Sequence, residues 1–270
     1  MPESLLAPVL VDTLLQPAGQ WVRVDVLEAL DSTNAHSLAE PTPWRLVVAE
    51  QQNAGRGRHA RVWVSPPGAS VSMTMTVPLP PHPEEWGWIP LVTGLAVRDA
   101  LAATGAVDVA LKWPNDVLVR AADRPDRELR KVCGILCEST GEVVAVGIGV
   151  NTSVPEADLP VPTATSLHLE GFVAPDAREQ VIIRIAQAFV TRFAALAAGG
   201  DQVEQVRSAY RQACSTIGLD VRIHAPGDVI VAGRAVDVDS EGRLVIDSDG
   251  CRQAYAAGDV VHVRPDEAAS

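Results

Sequence analysis

Hydrophobic and polar residues alternate along residues 71–79, where Val71 and Met73 begin an apolar face and Ser72 begins a polar one. Such alternation predicts a β-strand, and the prolines that start at Pro78 are expected to end it. Apolar runs bounded by turn residues predict further strands at residues 44–50, 107–112, 116–120, 132–138 and 143–150. The charged residues 121–130 predict a hairpin loop between two of these strands.

Apolar side chains recur with a helical period along residues 175–198, and Gly199 follows directly. This pattern predicts a helix, and the spacing of Asp176 and Glu179 predicts a capping box at its start. Two more helices are predicted at residues 88–103 and 202–214. Because the chain mixes hairpins with helices, we expect an α+β fold.

The pattern changes near Ile217 and Gly218, after which short β-rich segments continue to residue 263. Turn signals at residues 226–227, 241–242, 249–250 and 257–259 separate them. Closely spaced strands of this kind are typical of a small β-barrel. The 270 residues suit a large domain followed by a small one, which we predict at residues 1–217 and 218–270.

Composition narrows the class of protein. Hydrophobic residues make up 47% of the chain and charged residues 21%, which is ordinary for a globular protein. No apolar run reaches the roughly 18 residues of a membrane helix, and the first eleven residues contain Glu3 but no lysine or arginine. We therefore expect a cytoplasmic protein without a membrane partner.

Charge and cysteine content exclude further classes. The net charge of −12 argues against a broad nucleic-acid-binding face but allows one local anion site. Four cysteines are too few for a disulfide scaffold, and no second Cys/His pair is spaced to complete a zinc site with Cys133 and Cys137. These two are expected to be buried free thiols.

The strongest candidate for chemistry is the segment at residues 52–61, QNAGRGRHAR. Arg56, Arg58 and Arg61 fall close together in an otherwise acidic chain, and guanidinium groups bind phosphate or carboxylate in a bidentate way. Gly55 and Gly57 allow the backbone to approach a ligand closely. Mutual repulsion is expected to keep this loop mobile until an anion binds, although a solvated basic loop is an equal alternative.

Four other segments carry polar groups. Only two of the 22 basic residues are lysines, Lys112 and Lys131. Lys112 begins KWPND, where Pro114 predicts a kink that brings a lysine, an amide and a carboxylate together, or simply a capped turn. Lys131 begins KVCGIL, where it is either an anion ligand or an exposed edge residue. Asn151 follows two strand glycines, and the segment at residues 31–34 is a candidate helix cap.

Together, DSTN, EQQNAGRGRHAR, KWPNDVL, RKVCGIL and GIGVN, in this order, resemble the biotin–protein ligases over about residues 25–263. The resemblance implies ATP- and Mg²⁺-dependent attachment of biotin to a lysine of a biotin carboxyl carrier domain, through biotinyl-5′-AMP. It also implies a catalytic domain like that of class II aminoacyl-tRNA synthetases, with a mixed sheet flanked by helices, and a C-terminal SH3-like barrel. About 25 residues precede the first motif, so we expect the monofunctional type, which has no DNA-binding domain, as a monomer or homodimer.

The resemblance also implies roles for particular residues. Three are implied as catalytic: Arg56 and Lys131 on the carboxylate and phosphate, and Asp116 on the acceptor lysine. Biotin would contact Ser32, Thr33, Asn34, Gln52, Gly55, Arg56, Arg58, Lys131 and Gly134. ATP or the adenylate would contact Arg58, Arg61, Trp63, Lys112, Asn115 and Asn151.

Three other functions fit parts of the pattern. A lipoate or octanoate ligase would share the fold and the adenylate chemistry. A DNA-binding regulator that senses an adenylate is disfavoured by the charge of −12. A structural binding module would not explain why the arginines and lysines are clustered.

Overall fold

The structure is a computed structural model that describes residues 5, 7–17, 19–64, 66–123, 127–174, 176–225 and 229–262. Its larger part is a seven-stranded sheet with the order β1-β2-β3-β7-β6-β5-β4. The strands are β1 (Arg23–Leu30), β2 (Arg45–Gln52), β3 (Ser70–Pro78), β4 (Val107–Lys112), β5 (Asp116–Ala121), β6 (Arg130–Ser139) and β7 (Val143–Asn151). Because β1 and β2 run parallel and the other neighbours run antiparallel, the sheet is mixed.

Within the described residues, five α-helices accompany the sheet: α1 (Ala7–Leu14), α2 (Thr33–Ala39), α3 (Ile89–Ala102), α4 (Ala177–Ala198) and α5 (Gly200–Ala213). Short 3-10 helices occupy Arg58–Ala60, Pro83–Trp88 and Glu156–Asp158. The predicted α+β class is therefore confirmed, and the predicted strands and helices agree with the observed ones to within a few residues.

The predicted two-faced strand became the buried centre of the sheet. On β3, Met73 and Met75 lie in the hydrophobic core, while Thr74 on the opposite face donates a hydrogen bond to Asn34 of α2. The polar face is thus buried as well: α2 contacts β3 and accepts a hydrogen bond from the Thr74 hydroxyl, whereas the buried Thr76 hydroxyl has no hydrogen-bond partner within the described residues.

Helix α4 supplies much of the core. It is the one helix, within the described part of the chain, whose length and composition would allow it to cross a membrane. Its apolar side chains instead pack in the hydrophobic core, where the rings of Phe189 and Phe193 stack at 5.3 Å. The predicted capping box is wrong: Asp176 stands at the N-cap, but its carboxylate accepts from the Gln180 side chain at 2.7 Å rather than from a backbone N–H.

The four cysteines are free thiols, as predicted for Cys133 and Cys137. Both were expected to be buried. Cys133 is buried, but Cys137 is only half-buried, so the expectation was wrong for Cys137. Burial nevertheless raises the pKa of the Cys137 thiol to about 12, so both thiols stay protonated near neutral pH.

The C-terminal part is a five-stranded antiparallel sheet with the order β11-β10-β9-β8-β12. Its strands are β8 (Asp220–Ala225), β9 (Val229–Val238), β10 (Leu244–Ser248), β11 (Cys251–Tyr255) and β12 (Asp259–His262). Positive φ angles at Gly242, Gly250 and Gly258 mark three of the predicted turns. The turn predicted at residues 226–227 lies outside the described residues, and barrel closure and the boundary at 217/218 stay predictions.

The two sheets meet through tryptophan and glycine contacts. The Trp88 and Trp113 indoles donate to the carbonyls of Ser240 (2.9 Å) and Gly242 (3.0 Å) in the β9–β10 turn. A Cβ at Gly87 would lie only 2.2 Å from the Glu241 carbonyl oxygen, so the backbones approach as closely as glycine allows. These contacts hold the β9–β10 turn against Gly87, Trp88 and Trp113.

Candidate active site

A cavity of about 240 Å³ lies between the arginine-rich loop, the N-terminus of α2 and strands β5, β6 and β7. All but two of the predicted site residues line it; Gly55 and Lys112 do not. The lining residues among the predictions are Ser32, Thr33, Asn34, Gln52, Arg56, Arg58, Arg61, Trp63, Asn115, Asp116, Lys131, Gly134 and Asn151. Segments far apart in the sequence therefore converge, as the resemblance implied.

One end of the cavity is formed by α2 and the end of β2. Ser32 is the N-cap of α2, and its hydroxyl accepts from the Ala35 backbone N–H at 3.4 Å, as the sequence predicted. The Gln52 amide oxygen accepts from the Thr33 backbone N–H at 2.8 Å and from its hydroxyl at 3.1 Å. These bonds orient the Gln52 amide nitrogen toward Gly55, where an added Cβ would lie 3.1 Å from it. Polar groups at this end are thus preset by the helix cap.

The arginine-rich loop places three guanidinium groups along the cavity, each against a protein acceptor. Arg56 forms an ion pair with Glu138 at 3.2 Å. Arg58 donates to the Asn115 amide oxygen and to the Gly258 carbonyl, both at 3.3 Å, and burial lowers its pKa. Arg61 pairs with Asp259 of β12. The predicted self-repulsion is therefore offset by groups from β6 and from the C-terminal sheet.

Lys131 and Asp116 face each other at the centre of the cavity wall. The Lys131 ammonium lies 2.6 Å from an Asp116 carboxylate oxygen. The β5–β6 register pairs Asp116 with Gly134 and shifts between Val117 and Leu118, which brings the two charged side chains to the same end of the strands. Two backbone hydrogen bonds of 2.8 Å hold the main chain at Lys131. Its N–H donates to the Thr163 carbonyl, and its carbonyl accepts from the Thr165 N–H.

Lys112 is paired in register with Asp116 on the neighbouring strand but does not line the cavity. Burial lowers its pKa, while the Asp116 charge opposes that change. His262 of β12 lies near it; burial and the Lys112 charge lower the pKa of His262 to about 4, so it is neutral at pH 7. Direct contact of Lys112 with a nucleotide stays a prediction.

Trp63 lies flat against two strand glycines. A Cβ at Gly149 would stand 2.2 Å from the indole Cε2, and one at Gly134 would stand 3.1 Å from Cζ3. At these glycines, which the sequence indicated as points of close approach, the absence of a side chain leaves room for the Trp63 indole. Within the described residues its Nε1 is buried and has no hydrogen-bond partner. Trp63 is thus a wall of the cavity rather than filling for the main core.

Two residues predicted to contact the ligand, Asn34 and Asn151, form hydrogen bonds within the protein. The Asn34 amide nitrogen donates to the Leu136 carbonyl at 3.1 Å and to Glu138 at 2.8 Å, and its oxygen accepts from Thr74 at 2.7 Å. The Asn151 amide donates to the Thr165 carbonyl at 3.0 Å. These side chains shape the wall, and the ligand contacts implied for them stay predictions.

The sequence interpretation missed Asp158, which lines the cavity, and three acids that pair with basic residues. Asp259 lines the cavity from the C-terminal sheet, Glu138 pairs with Arg56 from β6, and Glu170 anchors the segment behind Lys131. Only the turn at residues 257–259 had been noticed, and nothing in it signals a contact with Arg61. The partners are 198 residues apart, a distance at which no local pattern is informative.

The described residues contain no group of three or more His, Cys, Asp or Glu side chains placed to hold a metal ion. Asp116 and Asp259 are each paired with a cation. Such a site fits Mg²⁺ only as an ion carried mainly by phosphate oxygens and water, which is the common arrangement for this ion.

Comparison with protein families gives two matches. Residues 26–154 match the biotin/lipoate A/B protein ligase family, and residues 216–263 match the biotin protein ligase C-terminal domain. The first match contains most of the cavity-lining motifs. The second contains the strand that carries Asp259.

Individual proteins give the same result. The chain is 36% identical over 262 residues to a biotin–[acetyl-CoA-carboxylase] ligase of Mycobacterium tuberculosis, covering 94% of each chain. It shares its fold with biotin protein ligase from Aquifex aeolicus in complex with biotin and ATP (TM-score 0.74, 24% identity, 90% of this chain and 100% of that one). It is also similar to biotin protein ligase from Leishmania major in complex with biotinyl-5-AMP (TM-score 0.56, 26% identity, 87% and 99%).

Proposed function

The chain belongs to the biotin protein ligase family, and from this premise we propose that it activates biotin with ATP and transfers it to a lysine of a biotin carboxyl carrier domain. Its activity is that of a biotin–[acetyl-CoA-carboxylase] ligase. The observation that carries the residue assignments is the convergence of Arg56, Arg58, Arg61 and Lys131 on one cavity. These four cations suit a reaction that brings two anions together.

In the first half-reaction, an oxygen of the biotin carboxylate attacks the α-phosphorus of ATP, and the bond to pyrophosphate breaks. Both reactants are negatively charged, so fixed positive groups at the reacting oxygens are the main means of lowering the barrier. Arg56 and Lys131 would hold the carboxylate and the α-phosphate, while Arg58 and Arg61 would hold the remaining phosphates. Arg58, Arg61 and Lys131 currently pair with neutral or acidic protein groups, which the ligand oxygens would replace.

In the second half-reaction, the acceptor lysine nitrogen attacks the carbonyl carbon of biotinyl-5′-AMP, and AMP leaves. A free lysine has a pKa near ~10.4, so its amine must be oriented and lose a proton. Asp116 is the acid at the centre of the cavity wall and lies 2.6 Å from Lys131. We assign it to orienting the incoming ammonium, with proton acceptance as a lesser contribution.

Mg²⁺ would supply charge neutralisation on the phosphates during the first half-reaction. The arginines and Lys131 would hold the oxygens that the ion does not bind. The apolar rim at Val62, Val64 and Val161, together with Trp63, would keep water from the mixed anhydride. The carrier domain of a carboxylase is the proposed partner, whereas oligomeric state and cytoplasmic location stay predictions.

The test is mass spectrometry of purified protein incubated with biotin, ATP, Mg²⁺ and a biotin carboxyl carrier domain. We expect the acceptor lysine to gain one biotinyl group, and only when ATP is present. An unmodified acceptor under these conditions would refute the proposal.

The matched family also includes lipoate ligases, so the acid itself needs a separate test. ATP–pyrophosphate exchange should depend on biotin and should be negligible with lipoate or octanoate. Exchange that lipoate supports better than biotin would favour the lipoate reaction.

A further inference from the structure

Glu138 of β6 contacts two cavity-lining residues from behind the wall. Its Oε2 accepts from the Asn34 side-chain amide at 2.8 Å, and its Oε1 lies 3.2 Å from Arg56 Nη1. Asn34 and Arg56 both line the cavity, whereas Glu138 is not among the described residues that do. One carboxylate therefore joins the end of the cavity at α2 to the first arginine of the loop.

The Asn34 end of this link is rigid. Asn34 is 3% exposed, and its side-chain amide forms hydrogen bonds with three groups: the Leu136 carbonyl, the Thr74 hydroxyl and the Glu138 carboxylate. Gly147 leaves room for it, since a Cβ there would lie 2.3 Å from the Asn34 amide oxygen. Glu138 is therefore anchored to a part of the fold that cannot easily shift.

The Arg56 end is exposed. The backbone of Arg56 is paired with Val62 in an isolated β-bridge, but the Arg56 side chain is 46% exposed, so packing alone does not fix the guanidinium group. A guanidinium that is already held in place loses less rotamer freedom when a ligand arrives. It also has five N–H donors, so an acid on one side leaves others for a second carboxylate.

We propose that Glu138 is a positioning residue for the biotin carboxylate: it is anchored by Asn34 and holds Arg56 over the cavity in the orientation that binds the substrate. This rests on the proposed function, in which Arg56 contacts that carboxylate. Glu138 does not touch substrate; it acts through Arg56.

The experiment compares Glu138→Ala, Glu138→Gln and the control Glu142→Ala. Glu142 is an exposed acid in the turn of the same β6–β7 hairpin, so the control removes the same charge without touching Arg56. Biotin-dependent ATP–pyrophosphate exchange gives KM and kcat for each variant. We expect KM for biotin to rise about three- to tenfold in both Glu138 variants, with a smaller change in kcat and none in the control.

Two further measurements separate positioning from support of the wall. Biotin methyl ester lacks the charged carboxylate and would be titrated as an inhibitor of the exchange; its inhibition constant should be the same in the wild type and in both Glu138 variants. In a double-mutant cycle, Glu138→Ala should add little to the defect of Arg56→Ala.

An unchanged KM for biotin in Glu138→Ala would overturn the inference, and so would full additivity with Arg56→Ala. Equal weakening of biotin and its ester in Glu138→Ala, with normal values in Glu138→Gln, would show that Glu138 only supports Asn34. These outcomes all presuppose a wild-type protein that performs biotin-dependent exchange. Absence of exchange in the wild type would refute the proposed function instead.

Discussion

Two arginine clusters join the large sheet to the C-terminal sheet, and they differ in burial. At the cavity, Arg61 and Asp259 form a pair with side chains 60% and 42% exposed. At the far end of the interface, Arg207 pairs with Glu85 at 2.9 Å, with side chains 10% and 7% exposed, and also donates to the Ser240 carbonyl at 2.8 Å. Both are contacts between an arginine and an acid, but the first pair is exposed and the second is largely buried.

This difference has energetic consequences. An exposed ion pair contributes only about 0–1 kcal/mol, so ligand oxygens can replace the acid at small cost. Breaking a buried pair leaves a charge without solvent or partner and costs about 3–5 kcal/mol. The exposed end therefore suits ligand exchange, and the buried end holds the two sheets together. Mutations at the two ends should separate these roles.

The largest effect is expected for Arg207→Ala, which removes the partner of buried Glu85. We expect the free energy of unfolding to fall by about 3–5 kcal/mol in urea denaturation. Arg234→Ala is the control, because Arg234 is exposed and lies 3.9 Å from Asp220; it should change stability by less than about 0.5 kcal/mol. Equal losses in the two variants would refute the contrast between the ends of the interface.

Lys131→Ala should lower the rate of adenylate formation by about 10²-fold or more, the scale of removing one charge-stabilising donor. Pyrophosphate release with biotin and ATP, in the absence of an acceptor, measures this step. Thermal unfolding should change little, since Lys131 and Asp116 lie at the accessible cavity. A near-normal rate would remove Lys131 from the first half-reaction.

Glu170 is a buried acid whose contribution depends on pH. Burial alone would raise its pKa, but hydrogen bonds from Thr165, Arg130 and the Ala121 backbone outweigh burial, so the pKa is lowered. Because the folded-state pKa lies below the ordinary 4.5, this stabilisation is present above that pH and is lost as pH falls below it. Glu170→Gln should cost about 1–3 kcal/mol at pH 7 and less at acidic pH. A cost that does not change with pH would contradict the assignment.

Asp116→Ala should leave pyrophosphate release nearly intact and slow the transfer of biotin from preformed biotinyl-5′-AMP by about tenfold. That is less than the 10²–10⁴-fold expected if a general base were lost, because we assign Asp116 mainly to orientation. Single-turnover transfer to the carrier domain measures it. Equal losses in both half-reactions would show that Asp116 acts mainly by holding Lys131.

The smallest effect is expected for Asp259→Asn at the exposed end. Stability should change by less than about 1 kcal/mol, because water and salt screen the pair with Arg61. Urea denaturation at low and high salt would check this. A loss as large as that of Arg207→Ala would mean that Asp259 also holds the interface.

The sequence by itself determined most of the secondary structure of the larger part and the chemical groups, although it did not predict α1 or β1. Alternation at residues 71–79 and the helical period at 175–198 predicted β3 and α4, because local burial patterns follow the geometry of each element. The motifs supplied the arginines, the lysines and the strand glycines, and the helix cap at Ser32 was also predictable. The capping box at Asp176 was not, because spacing alone does not set the backbone angles on which a cap depends.

Only the tertiary structure decided which acids neutralise the cations. Nothing in the sequence around Glu138, Asp259 or Glu170 signals these partners, and each acid meets its cation only through tertiary packing. Such contacts join residues tens to hundreds of positions apart, whereas sequence periodicity reports only on neighbours along one element. The sequence therefore supplied the positive charges of the site, and the packing of the two sheets supplied the acids that hold them in place.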